Sequence, residues 1–360
     1  MDETNTKLLK RGWTTGACAT AATKAALTAL LGGGFPDPVE IVLPKGQTPA
    51  FALALEGLDD NEARAGIIKD AGDDPDVTHG CLVISTVRLV DEPGVVFKAG
   101  EGVGTVTKAG LPIDVGEPAI NPVPRQMMVQ VVEELIQQCG PSIGVEVEIS
   151  IQDGARLAEK TWNPRLGIVG GLSVLGTTGI VNPFSCSAWI ASIHRGIDVA
   201  RAEGLQHLAG ATGSTSEKAV QDLYGLPDQA MIDMGDFVGG LLKYLRQNPV
   251  ERVTIGGGLA KLTKLAQGAL DLHSGRSQVD FDWLASEIAG LGGPDELCKK
   301  VAGANTVLEV ASLTAKENLD IGPLIADKAR ITAQEILRGA PVRVDIIAVD
   351  RKGKVVGRSG

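Results

Sequence analysis

Arg252-Val-Thr-Ile-Gly-Gly-Gly-Leu-Ala-Lys-Leu-Thr-Lys264 passes from a short apolar strand (252–255) through three glycines into a helix. The same grammar occurs twice just upstream. An apolar run at 205–209 leads into Gly210-Ala-Thr-Gly-Ser-Thr-Ser-Glu217 and a helix. Another at 230–233 leads into Met234-Gly-Asp-Phe-Val-Gly239 and a helix to about Arg246. Strand, glycine loop and helix in repetition predict a parallel sheet flanked by helices, with ligand-binding loops at the carboxyl ends of its strands. The C-terminal domain, 161–338, is therefore expected to be a Rossmann-like α/β domain with a mostly parallel sheet. Gly167-Ile-Val-Gly-Gly-Leu-Ser-Val-Leu-Gly-Thr-Thr-Gly179 precedes a predicted helix at 186–201, and helices cover much of 280–338. The tail 339–360 reads as a β-hairpin split by Asp350-Arg-Lys-Gly353.

The first part, 1–160, reads as a strand-rich α+β domain. Thr15 can cap an Ala-rich helix over 15–31, with Thr20, Lys24 and Thr28 spaced to form one polar stripe. Short strands follow at 39–43, 50–55, 63–68, 81–90 and 95–99, joined by Gly, Pro and Asp turns. Residues 100–125 hold Gly100, Gly102, Gly104, Gly110 and Gly116 with Pro112, Pro118, Pro122 and Pro124, which leaves little room for regular structure. A helix from Arg125 to about Cys139 and a strand at 145–151 close this part. Thr14-Thr-Gly16 has an echo in Thr177-Thr-Gly179, too short to count as a repeat.

The chain has 360 residues, enough for two domains with separate cores. Aromatic content is only 3%, so the cores must be built from Ala, Val, Leu and Ile. The net charge of −10 excludes a general nucleic-acid or membrane partner, and an anionic ligand would need a local basic patch or helix N-termini. A homo-oligomer is compatible with this composition. The five cysteines, at 18, 81, 139, 186 and 298, form no CxxC pair, and the four histidines show no ligand spacing. No protein-bound metal is expected, and reduced thiols with no basic leader point to the cytoplasm.

Lys69-Asp-Ala-Gly-Asp-Asp-Pro-Asp-Val-Thr-His-Gly80 packs four carboxylates, a lysine and a histidine into a turn-rich segment before the apolar run 81–87. It is either a polar turn or a stiff loop that aims titratable groups. Within it Asp70, Asp73 and His79 are the candidate acid–base residues, since His79 has carboxylates close by. Cys18 sits among alanines and is better read as packing than as a nucleophile. His194 and His207 read as packed residues, His273 as a helix cap. Nucleotide signatures fail: Gly102-Val-Gly104 lacks its third glycine, and Lys108 follows Thr107 rather than Gly. Gly256-Gly-Gly258 still has the strand-to-helix context of a nucleoside site.

Arg11-Gly-Trp-Thr-Thr-Gly-Ala-Cys-Ala19, Lys69–Gly80, Gly100–Pro112, Gly116-Glu-Pro-Ala-Ile-Asn-Pro-Val-Pro-Arg125 and Leu262–Ser277 together resemble the cobalt-precorrin-5B C1-methyltransferase (CbiD) family of cobalamin biosynthesis. The resemblance spans nearly the whole chain in order. Trp13 departs from an expected Phe but keeps an aromatic ring. The resemblance implies methyl transfer from S-adenosylmethionine to C1 of a contracted tetrapyrrole, a small-molecule substrate that brings its own cobalt or is metal-free.

The resemblance carries no catalytic residue with it, so the site is assigned from the residues themselves. Gly176, Thr177, Thr178, Gly213, Asp236, Gly256, Gly257 and Gly258 are expected to hold S-adenosylmethionine in the second domain. Arg11, Thr14, Thr15, Lys69, Lys108, Asn121 and Arg125 are expected to hold the tetrapyrrole in the first. The alternatives are a tetrapyrrole carrier or chaperone without methyltransferase activity, a small-molecule kinase and a dinucleotide reductase.

Overall fold

The computed structural model describes residues 9–137 and 143–360 of a mixed α/β chain with mixed sheets. Two compact units, Met1–Cys186 and Ser187–Gly360, each carry their own core. The units divide at Cys186 rather than near residue 160. The reason is local pairing: Ile168–Val169 pairs with Thr105–Val106, and Ile180–Val181 with Gly12–Trp13.

The first unit is built on a five-stranded sheet ordered Leu55–Leu58, Glu62–Ile68, Leu82–Val90, Gly144–Ile151, Gly94–Ala99. All pairings are antiparallel except the last, where Gly94–Ala99 runs parallel to Gly144–Ile151. Alternation along Leu82–Val90 sends Val83, Ser85 and Val87 into the core. The opposite face carries Arg88, ion-paired to Glu62, Glu146 and Glu148 at 2.8, 2.9 and 3.1 Å.

The helix Thr15–Leu30 packs on the core face, and its alanines let it sit close. It is buried nearly all round, so the expected polar stripe is not a solvent face. Thr20 Oγ1 turns back to Gly16 O at 2.8 Å, and Thr23 Oγ1 meets Ser85 Oγ at 2.9 Å in the core. Thr14, not Thr15, is the N-cap: its backbone is extended and its hydroxyl accepts from Ala17 N–H. The second long helix runs Pro122–Ile136, earlier than expected because two prolines fit its first turn; Cys139 lies outside the described residues.

In the second unit the sheet order is Met231–Asp233, His207–Ala211, Arg252–Gly258, Arg343–Val349, Val355–Ser359. The first four strands are mutually parallel and the last is antiparallel. The expected tail hairpin is formed by the last two strands, and it closes onto this sheet with Val355–Ser359 as the edge. Leu208, Val253, Ile255 and Ile346 meet Leu241, Leu262 and Ile325 in a core that excludes water. Gly256, Gly257 and Gly258 belong to the strand, paired with Ile347, Ala348 and Val349, and do not form a loop. Among the described residues no helix is long and apolar enough to cross a membrane.

Candidate active site

Three segments of the first unit are laced together by backbone contacts. Gly12–Trp13 pairs with Ile180–Val181, and Trp13 N–H donates to Asp70 O at 2.7 Å. Gly12 must be glycine, because a Cβ there would lie 2.0 Å from the Ala71 carbonyl carbon. Thr14 N–H donates to Gly179 O and Gly16 N–H to Leu175 O, so the two Thr-Thr-Gly echoes lie side by side. Gly176, at φ +140, packs against the Thr14 side chain. The N-terminus of the second long helix joins them. Asn121 N–H donates to Val174 O at 3.1 Å, and a Cβ on Gly16 would meet Pro124 at 2.6 Å. Two helix N-termini, with their partial positive charge, converge on residues 174–176.

The 69–80 loop is locked onto this frame. Asp70 accepts from Lys10 Nζ at 2.6 Å and Gly72 N–H at 2.9 Å. The Lys10 hydrogen bond holds the Asp70 carboxyl below the usual carboxylate range, despite its exposure. Asp73 exchanges two bonds with the Lys10 backbone, accepting at 2.7 Å and donating at 2.9 Å. His79 Nδ1 accepts Ala71 N–H at 3.1 Å and lies 3.9 Å from Asp70 Oδ1. The neutral ring then carries its proton on Nε2, which makes it a hydrogen-bond donor toward solvent. Asp70 and His79 are therefore together and accessible, while Asp73 is an exposed brace for residue 10.

Lys69 is 1% exposed and bound to Asp76 and to Thr78 Oγ1. It cannot meet a bulky substrate; its charge holds the loop shut. Burial works against ionisation of Asp76, but the Lys69 ammonium and the Thr78 donors outweigh it and hold the carboxyl below its ordinary range. Thr15 is also buried and presents nothing to a ligand. Arg125 is engaged by Glu117, Ile120 O, Pro118 O and the Phe97 ring. Lys108 is half-buried against Gly167. Arg11 is exposed with no ion pair among the described residues, and the half-buried Asn121 leaves its side-chain amide unused as a cap. Cys18 is fully buried, and its thiol is pushed up to about 12 by burial, with Lys69 pulling weakly the other way.

In the second unit the register aligns Ala211 with both Asp233 and Gly256, so two strands end at one level and Arg252–Gly258 runs two residues further. From these ends rise Thr212 and Gly213, then Gly235 and Asp236, then Gly258 and Lys261. Gly213 and Gly258 open onto free space, whereas Gly256 packs on Val220 and Gly257 on Thr212. Of the glycine trio only Gly258 can face a ligand. Lys261 Nζ donates to Thr212 O at 2.9 Å and lies 2.9 Å from Asp236 Oδ1, outside hydrogen-bonding geometry. Asp236 Oδ1 is thus buried beside a cation yet accepts no hydrogen bond. Gly176, Thr177 and Thr178 fall in the first unit, not in the domain in which they were expected.

The CbiD family model matches residues 2–183, and the model of the CbiD C-terminal domain matches 271–360. Proteins named cobalt-precorrin-5B C(1)-methyltransferase match at 63% identity in Brucella anthropi and at 62% in Brucella canis. Each alignment spans 97% of this chain and 95% of the relative. The chain belongs to the CbiD family. A crystal structure of the cobalamin biosynthesis protein cbiD from Archaeoglobus fulgidus aligns at 26% identity over 74% of this chain and 83% of that one, with a TM-score of 0.38.

Two residues of this CbiD chain, Lys10 and Trp189, gave no signal in the sequence, and a third, Lys261, closes the 256–261 loop expected to hold the donor. Lys10 is one residue before the quoted motif, and only the fold brings its ammonium to Asp70. Lys261 was visible as the cation that follows a strand–glycine–helix junction. Trp189 had no local signal: it lies on the helix Cys186–Ala202, and its indole N–H reaches Asp233 O at 3.0 Å only through packing.

Proposed function

We propose that this chain transfers the methyl group of S-adenosylmethionine to C1 of cobalt-precorrin-5B, or of its metal-free counterpart, in cobalamin biosynthesis. The observation that carries the reading is the 63% identity over 97% of the chain to relatives bearing that activity in their name. The donor supplies a methyl on a positively charged sulfur, already activated for in-line displacement. The protein has to orient the reactants and exclude water, which can lower the barrier by roughly 7–11 kcal/mol.

The second unit, read as a Rossmann-like α/β domain, suits the donor. Asp236 Oδ1, buried and short of a hydrogen bond, fits a donor group such as a ribose hydroxyl or the amino group. Gly213 and Gly258 leave space above two strand ends for a ligand to approach the backbone. Asp233 ends the strand from which the turn carrying Asp236 rises.

The first unit suits the macrocycle. The carboxylates of the macrocycle would meet the exposed Arg11 and the Asn121 amide at the start of Pro122–Ile136. Thr14 faces the same segment, while Lys108 and Arg125 shape its rim. Any proton that must leave the ring falls to the Asp70–His79 pair. Asp70, kept ionised by Lys10, accepts that proton on its carboxylate, and His79 beside it donates a hydrogen bond to the substrate through Nε2.

Incubation with donor labelled in its methyl carbon and a cobalt-bearing contracted tetrapyrrole tests the reading by carbon NMR. One new methyl resonance at C1 is expected. Binding of the tetrapyrrole without any methyl transfer would reject the activity and leave a carrier.

A further inference from the structure

In a chain with only 3% aromatic residues, one indole is held half in solvent beside the strand ends of the second unit. Trp189 is 46% exposed. Its orientation is set at both ends. The indole N–H donates to Asp233 O at 3.0 Å, so the ring cannot swing away. Its six-membered edge lies against Gly235, whose backbone is left-handed at φ +53; a Cβ there would meet the ring at 3.3 Å. Phe237 backs it with a centroid distance of 6.3 Å and a tilt of 53°. The next residue after Gly235 is Asp236, whose Oδ1 is buried without a hydrogen bond.

We infer that Trp189 is the stacking wall for the adenine ring of the methyl donor, with Asp236 receiving a donor group of the same nucleoside. The inference deepens the donor reading of the second unit and rests on it. An aromatic plane on the turn that carries a carboxylate oxygen, ion-paired to Lys261 but still without a hydrogen bond, is what a nucleoside needs, because the base offers a flat π-face and the sugar offers hydroxyl donors. The loop glycine at 235 has a second role here: its missing side chain lets the ring lie against the turn that carries Asp236.

Fluorescence and calorimetry on the full chain test it, with S-adenosylhomocysteine, adenosine and methionine as probes. The chain has four tryptophans, so the difference between wild type and W189F isolates the emission of Trp189. S-adenosylhomocysteine and adenosine should each change that difference signal and shield it from acrylamide, whereas methionine alone should not. W189A should weaken S-adenosylhomocysteine binding by about tenfold to a hundredfold, the usual loss of one base–aromatic stack. W189F, which keeps a ring, should retain most of the affinity.

The inference is overturned if S-adenosylhomocysteine binds by calorimetry while W189A binds equally tightly and the Trp189 emission stays unchanged. That outcome leaves the donor reading intact. No binding of S-adenosylhomocysteine to the wild type would remove both. If W189A fails to fold, acrylamide shielding of the wild type decides alone.

Discussion

Lys69 shows how depth changes the meaning of a charge. Its ammonium is 1% exposed and reaches only Asp76 and Thr78. Removing the carboxylate leaves that charge buried without a counter-ion. D76N should therefore cost about 3–5 kcal/mol in urea unfolding. K69M should cost less, because the quarter-exposed Asp76 can still reach water. The pH dependence has a fixed sign. The folded carboxyl titrates below its unfolded value of about 3.9, so the pair stabilises above that value and is lost as pH falls through the lower, folded one. The stability gap between wild type and D76N should be flat near neutrality and close in acid. A gap that persists in acid would assign the effect to packing. Cys18, pushed to about 12, carries almost no thiolate at pH 8, so iodoacetamide should leave it unlabelled by mass spectrometry until the chain unfolds. In the sequence both residues were visible as chemistry: Lys69 as a substrate cation, Cys18 as a thiol among alanines. Burial sorted them, and burial is a property of neighbours distant in the chain.

Periodicity made the helices and strands legible, and glycine hid their boundaries. The strand–loop–helix alternation from 205 to 264 is written in apolar spacing, and it corresponds to strands that run parallel. Gly256–Gly258 carry no side chains and so no period, and they looked like a loop while extending the strand. The same silence covers Gly12 and Gly176, whose close approaches build the candidate site in the first unit. A Cβ on Gly12 would strike the Ala71 backbone at 2.0 Å, and backbone cannot yield as a side chain can. G12A should separate Gly12–Trp13 from the 69–80 loop, abolish activity and cut stability well beyond the roughly 0.5–1 kcal/mol usual for a Gly-to-Ala exchange. Thr14 gives a graded control. T14A removes the cap on Ala17 N–H and should cost about 0.5–2 kcal/mol, read as a shift in the unfolding midpoint. Equal losses in both variants would mean that the close approach carries no special weight.

At the scale of the whole chain, two units have separate cores, and the proposal assigns one ligand to each. A net charge of −10 is unsuited to a polyacid substrate as a field, so the proposal makes recognition local, at Arg11 and Asn121 in the first unit. For the donor, the second unit offers Asp236 Oδ1, ion-paired to Lys261 but without a hydrogen bond, and two open glycines. Hydrogen exchange read by mass spectrometry separates the two. S-adenosylhomocysteine should slow exchange in peptides covering 211–213, 233–237 and 258–261 and leave 69–80 and 174–179 unchanged. A contracted cobalt tetrapyrrole should do the reverse. At about a hundred times its dissociation constant, S-adenosylhomocysteine should also stabilise the second unit by about 2.7 kcal/mol. Because the cores are separate, that gain should appear as a later unfolding of one unit and not as a shift of the whole melt. Protection of 69–80 by S-adenosylhomocysteine alone would move the donor to the first unit, where Gly176 and its threonines already sit beside Thr14, and would reverse the assignment of ligands to units.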